Sequence, residues 1–102
     1  MQWNALLLAA ALAGLPLMSQ AQTMDPLQVR SMAASCANCH GTQGIAEAGN
    51  ESLAGVNKDE LLKKMLDFKT GKKPATIMHQ LSKGYSDEQL AALASYFSAL
   101  KK

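Results

Sequence analysis

Apolar positions in the C-terminal half of this chain recur at helical rather than strand intervals. Leu61, Leu62, Met65 and Phe68 fall on one face of a 3.6-residue repeat, and so do Leu90, Leu93, Ala94, Phe97 and Leu100. The punctuation agrees with the period. Asn57 stands at the cap of the first of these helices and Gly71 at its end. Pro74 stops any continuation, and a short helical turn is predicted over Thr76 to Lys83, closed by Gly84. Ser86 and Gln89 have the spacing of a capping box that opens the last helix. Upstream, Asp25 followed by Pro26 makes an N-cap and N1 pair, which predicts a helix through Leu27, Met32 and Ala33 toward Cys36. Between these elements, Gly41 to Gly55 carries four glycines and no helical period, so it is expected to be a loop. With no convincing strand anywhere, the fold class is all-α with about four helices.

The N-terminal stretch is of another kind. Asn4 to Met18 contains no charge and includes the apolar run Leu6 to Ala13, followed by the small-residue site Ser19-Gln20-Ala21. That order predicts a secretory signal peptide over residues 1–21, cleaved after Ala21. The run is shorter than the about 20 residues that span a bilayer. Its n-region, Met1-Gln2, carries only the α-amino charge, which leaves an uncleaved anchor as the alternative. Cleavage would leave residues 22–102, which are 81 residues and a single domain. A domain of that size is marginal without a staple, and aromatic residues make up only 5% of this chain.

Charge adds less. The net charge of +2 is too mild to imply nucleic acid. Its distribution is more telling, because Lys58, Lys63, Lys64, Lys69, Lys72 and Lys73 crowd into sixteen residues, interrupted by Asp59, Glu60 and Asp67. Such a run is either a solvated helix face or a cationic docking surface that steers encounter at low salt.

Both cysteines of the chain and one of its two histidines lie in Cys36-Ala37-Asn38-Cys39-His40. C-x-x-C-H reads as a covalent haem attachment site. Two thiols three positions apart can each add to one vinyl group on the same porphyrin edge, and the adjacent imidazole then faces the iron. The competing readings are poorer. A redox-active C-x-x-C belongs beside a βαβ pattern, which this chain lacks. A structural zinc needs about four ligands, and beyond these three only His79 is an obvious fourth. A porphyrin would also supply the large flat apolar surface that so small a core lacks.

With these elements in this order, the chain resembles the class I cytochromes c over nearly all of Asp25 to Lys102. The resemblance rests on the helix leading into C-A-N-C-H and the continuation Gly41-Thr42-Gln43-Gly44. It extends through the Leu53-Ala54-Gly55 loop, a methionine-bearing segment and the last amphipathic helix. It implies a small cytochrome c fold around one covalently attached haem c, export to the periplasm where the haem is joined, and a redox protein as partner. In such proteins the first and last helices cross, which would set Ala33 or Ala37 against Leu93, Tyr96 and Phe97. A narrower likeness lies in Phe68-Lys69-Thr70-Gly71, Thr76-Ile77-Met78 and Leu81-Ser82-Lys83-Gly84-Tyr85-Ser86. There the chain resembles the cytochrome subunit of flavocytochrome c sulfide dehydrogenases, which accepts electrons from an FAD-containing subunit that oxidises sulfide. A freely diffusing shuttle cytochrome is the alternative.

The resemblance also implies the iron ligands. His40 would hold one side, and Met78, which lies 38 residues further on, occupies the family's methionine position. Met65 and Met32 are expected to pack in the core, and His79 to face solvent, although it is a candidate for bis-histidine ligation. Methionine with histidine raises the reduction potential and fills both axial positions, so the chain would transfer single electrons and would not be a catalyst alone. An open sixth site, as in a ligand-binding or peroxidatic haem protein, is the remaining alternative. One departure stands out. The family usually has a proline before the Leu-Ala-Gly loop whose carbonyl accepts from the ligating imidazole, whereas this chain reads Asn50-Glu51-Ser52.

Overall fold

A computed structural model describes residues 24–102 continuously, together with positions 13, 14 and 16. The expected signal peptide and its cleavage site therefore lie outside the continuously described residues. Five helices follow in order: α1 (Pro26–Ala34), α2 (Ala37–His40), α3 (Lys58–Thr70), α4 (Ile77–Lys83) and α5 (Asp87–Ser98). There is no strand among the described residues. The count exceeds four because the cysteine motif forms its own turn of helix. The chain leaves α1 at Ala34 and re-enters helical hydrogen bonding at Cys36 rather than running straight through.

The helix starts are those that the caps dictate. Asp25 Oδ1 accepts from the Leu27 amide at 2.9 Å, with Pro26 at the first helical position. Asn57 Oδ1 accepts from the Asp59 and Glu60 amides at 3.0 and 3.1 Å. Ser86 and Gln89 close a reciprocal capping box. At the far end of α3, Gly71 takes the left-handed conformation at φ 79°.

The core forms where α1, α3 and α5 converge. Ala33, Leu61, Leu90, Leu93, Ala94 and Phe97 are its buried residues, with Ala94 fully enclosed. Small side chains at Ala33 and Ala94 let α1 approach α5 closely. The contact uses Ala33, while Ala37 is only half-buried and lies outside the core. Tyr96 packs on this core from its rim and meets Phe97 edge-on at 5.2 Å. Leu100 falls beyond the last helix yet still packs against the core. The loop from Gly41 to Gly55 has no helix and is pinned to α5 by the Gly55 amide, which donates to the Phe97 carbonyl at 3.0 Å.

The lysine run divides. Lys63 pairs with Asp67 on its own helix and Lys64 with Glu51. Lys69 Nζ donates to Asp87 and to the Tyr85 carbonyl, both at 2.8 Å, which ties α3 to the start of α5. Lys58, Lys72 and Lys73 remain exposed without carboxylate partners, with Lys73 lying over the Phe68 ring at 5.5 Å.

The capping box makes a direct test of the last helix. Ser86→Ala should cost about 1 kcal/mol of stability, read as a lower urea midpoint at unchanged slope, and Ser86→Asp should retain most of it.

Candidate functional site

The cysteine motif is built by a single helical turn. His40 N donates to the Cys36 carbonyl at 2.9 Å and Gly41 N to that of Ala37 at 3.0 Å. Cys36 and Cys39, three residues apart, therefore share a face, and His40 follows directly. Both cysteines are free thiols. Burial pushes the Cys36 thiol up from its ordinary pKa, against the opposing effect of the Ser35 hydroxyl. The turn ends on Gly41 at φ 85°, where a Cβ would lie 1.9 Å from the Ile45 carbonyl oxygen. Only glycine fits there.

The loop then returns to hold the imidazole. His40 Nδ1 lies 2.5 Å from the main-chain carbonyl oxygen of Glu51. A carbonyl only accepts, so Nδ1 carries the hydrogen and Nε2 keeps its lone pair. The carbonyl that the missing proline left in question is thus supplied by Glu51. Two further contacts fix it. The Glu51 carboxylate accepts from Lys64 Nζ at 2.7 Å, and the Gly44 carbonyl accepts from the Leu53 and Ala54 amides at 2.8 and 3.0 Å. The Lys64 hydrogen bond holds the Glu51 carboxyl below its ordinary range, and Glu51 in turn raises Lys64. The pair's stabilisation is present above the usual glutamate pKa and is lost as pH falls through the lowered folded value.

Beside this turn lie two open cavities of about 210 and 90 Å³. They share Cys36, His40, Met65, Met78 and Leu93, while Cys39 lines the larger one. All four residues singled out for cofactor attachment and ligation, Cys36, Cys39, His40 and Met78, therefore border one space. Met65 does more than the core packing expected of it, since it touches both the core and the cavities. Met78 lines both cavities and takes no part in the buried core. His79 is not solvent-facing and lines neither of these two cavities. It is half-buried, and its Nδ1 donates to the Phe68 carbonyl at 2.6 Å, locking α4 over the end of α3.

Comparison with known proteins bears on what fills this space. The sequence profile of the Cytochrome c family matches residues 29–101. The chain belongs to the cytochrome c family. It is 37% identical over 68 residues to the cytochrome subunit of sulfide dehydrogenase of Chlorobaculum tepidum, covering 67% of this chain and 62% of that protein. It is 33% identical over 99 residues to a thiosulfate dehydrogenase electron acceptor of Stutzerimonas stutzeri, covering 89% and 46%. A solved cytochrome c4 of Acidithiobacillus ferrooxidans superposes with a TM-score of 0.70 at 22% identity, over 80% of this chain and 53% of that one, which establishes the shared fold. The chain spans about half to two-thirds of the length of these proteins.

Family membership makes the cofactor a covalently bound haem c with its iron, and the C-x-x-C-H turn of this cytochrome is where that chemistry belongs. The residues present suit it: two thiols on one face, an imidazole whose Nε2 is left free, and a space lined mainly by apolar side chains. Some contributors carry no sequence signal. Nothing in the spacing of Lys64 and Glu51 pairs them, because they belong to a helix and a loop thirteen residues apart. Tyr85 and Ser35, fifty residues apart, join hydroxyls at 3.0 Å beside Cys36.

The roles of the two halves of Glu51 can be separated. In Glu51→Gln the main-chain bond to His40 should persist while the Lys64 ion pair is lost. The expected cost in the holoprotein is about 0.2–1 kcal/mol at low salt, vanishing in 1 M salt. Guanidine would mask such a salt effect, so urea melts of parent and variant at the two ionic strengths provide the measurement.

Proposed function

We propose that this cytochrome carries one electron at a time through an iron held between His40 and Met78, with its thioether bonds at Cys36 and Cys39. The convergence of those four side chains on one cavity is the observation that carries the reading. The haem supplies the one-electron iron couple, and the chain supplies ligands, orientation and dielectric. His40 is oriented by the Glu51 carbonyl, which fixes its tautomer and makes Nε2 the donor atom. Met78 is preferred to Met65 as the sixth ligand because its side chain has no role in the buried core, whereas Met65 packs there. With His40 and Met78 both held to it, the iron would offer small ligands no ready access. That argues against a peroxidatic or ligand-sensing role and against the chain being a catalyst alone.

For the partner, we propose an FAD-containing sulfide dehydrogenase subunit that delivers electrons to this chain in the periplasm, after removal of residues 1–21. The likeness to the Chlorobaculum tepidum subunit supports it. The exposed amines of Lys58, Lys72 and Lys73 suit an acidic docking face. Lys69, by contrast, is committed to holding Asp87 and the Tyr85 carbonyl. The second reading is a diffusing shuttle, favoured by the likeness to a thiosulfate dehydrogenase electron acceptor. Among the described residues no helix is long and apolar enough to cross a membrane.

Two measurements test these assignments. Met78→Ala should lower the reduction potential and open a coordination site that binds added imidazole. Met65→Ala should leave six-coordination in place and lower stability by less than the about 2–5 kcal/mol of a fully buried methionine; an unchanged spectrum in Met78→Ala would reject the ligand. Native isolation of the holoprotein should bring down a flavin-bearing polypeptide in fixed proportion, and isolation of the cytochrome alone at low salt would favour the shuttle.

A further inference from the structure

Ser82 lies on α4 four residues after Met78 and is only 1% exposed. Its hydroxyl is the one buried side-chain polar atom without a hydrogen-bond partner among the described residues. Helical serines and threonines commonly satisfy themselves on the carbonyl one turn back. Ser31 does so on Leu27 at 2.9 Å and Thr70 on Leu66 at 2.9 Å, but Ser82 does not. An unpaired buried hydroxyl is unfavourable and calls for an acceptor.

The surroundings narrow the choice of acceptor. Ser82 lines the larger cavity together with Met78 and His40 and does not reach the smaller one. Ile77, Leu81, Leu90 and Leu93 on the same wall carry no side-chain acceptor, and Asn50, on the loop beside Glu51, is not within hydrogen-bond distance of Ser82. The Tyr85 and Ser35 hydroxyls keep acceptor lone pairs but lie beyond hydrogen-bond distance of Ser82. Residues four apart on a helix share a face with Cβ atoms about 5–6 Å apart, so a rotamer change of Met78, whose sulfur is not bonded to Ser82 in this structure, can bring the thioether to the hydroxyl. A methionine sulfur bonded to a metal through one lone pair keeps a second that can accept.

We propose that Ser82 is a positioning residue for the axial thioether, its hydroxyl donating to the sulfur of Met78; this rests on the assignment of Met78 as iron ligand. The bond draws electron density from the sulfur, which disfavours the ferric state, and it restrains the methionine from leaving the iron.

The test uses the holoprotein with Ser82→Ala, Ser82→Thr, Met78→Ala and the Ser82→Ala/Met78→Ala pair. Ser82→Ala should move the ferrous–ferric balance about threefold toward ferric, roughly 28 mV at 59 mV per tenfold. It should also speed displacement of the thioether by imidazole several-fold, and Ser82→Thr, which keeps the hydroxyl, should match the parent. In the Met78→Ala background the effect of Ser82→Ala should vanish. An equal shift in both backgrounds would place the hydroxyl on the porphyrin periphery and overturn the proposal, as would no shift in the parent. Failure of the ligand assignment looks different: Met78→Ala would itself leave spectrum and potential unchanged, and both readings would fall together.

Discussion

Three helices that meet along one edge leave apolar faces with no protein to cover them, and that shortage of core governs the architecture. Ala33 and Ala94 bring α1 and α5 into close contact, and Leu61 of α3 and Phe97 of α5 fill the convergence. Beyond that point the walls formed by Met65, Met78, Leu90 and Leu93 face open space. Haem c is the large apolar body that such a space requires. Haem c attached at the C-x-x-C-H turn would therefore extend the core as well as install the redox group.

The imidazole is held by backbone rather than by side chains. The Gly41 turn, the Gly44 carbonyl and the Glu51 carbonyl form a continuous main-chain frame around His40. The charged contact from Lys64 braces the frame from α3 and is exposed enough to be sensitive to salt. Lys69 performs a similar service between α3 and α5. A run of lysines that reads as one cationic patch in sequence is thus partly structural, which concentrates the free charge at Lys58, Lys72 and Lys73.

Much of this was legible in the residues themselves. Asp25-Pro26, Asn57, Gly71 and the Ser86–Gln89 box mark helix ends through local hydrogen bonds, so their meaning does not depend on distant parts of the chain. The break between Ala34 and Cys36 was not legible, because no glycine or proline marks it. By sequence His79 reads as solvent-facing, since its partner is a main-chain carbonyl and carbonyls leave no trace in a sequence. Met65 was read as core from its period, and the period is silent about a helix face that borders both protein and cavity. Ser82 sits among apolar neighbours with no pattern to announce it.

Because the acceptor for His40 belongs to the polypeptide backbone, the imidazole does not depend on the side chain of residue 51 for its hydrogen bond. A side chain that keeps the path of the loop offers the imidazole the same oxygen, whereas only a carboxylate there also accepts from Lys64. Position 41 has no such freedom: even a methyl group would collide with the next turn of loop. Two neighbouring parts of one frame thus meet substitution differently, residue 51 through its main chain and residue 41 through the lack of a side chain.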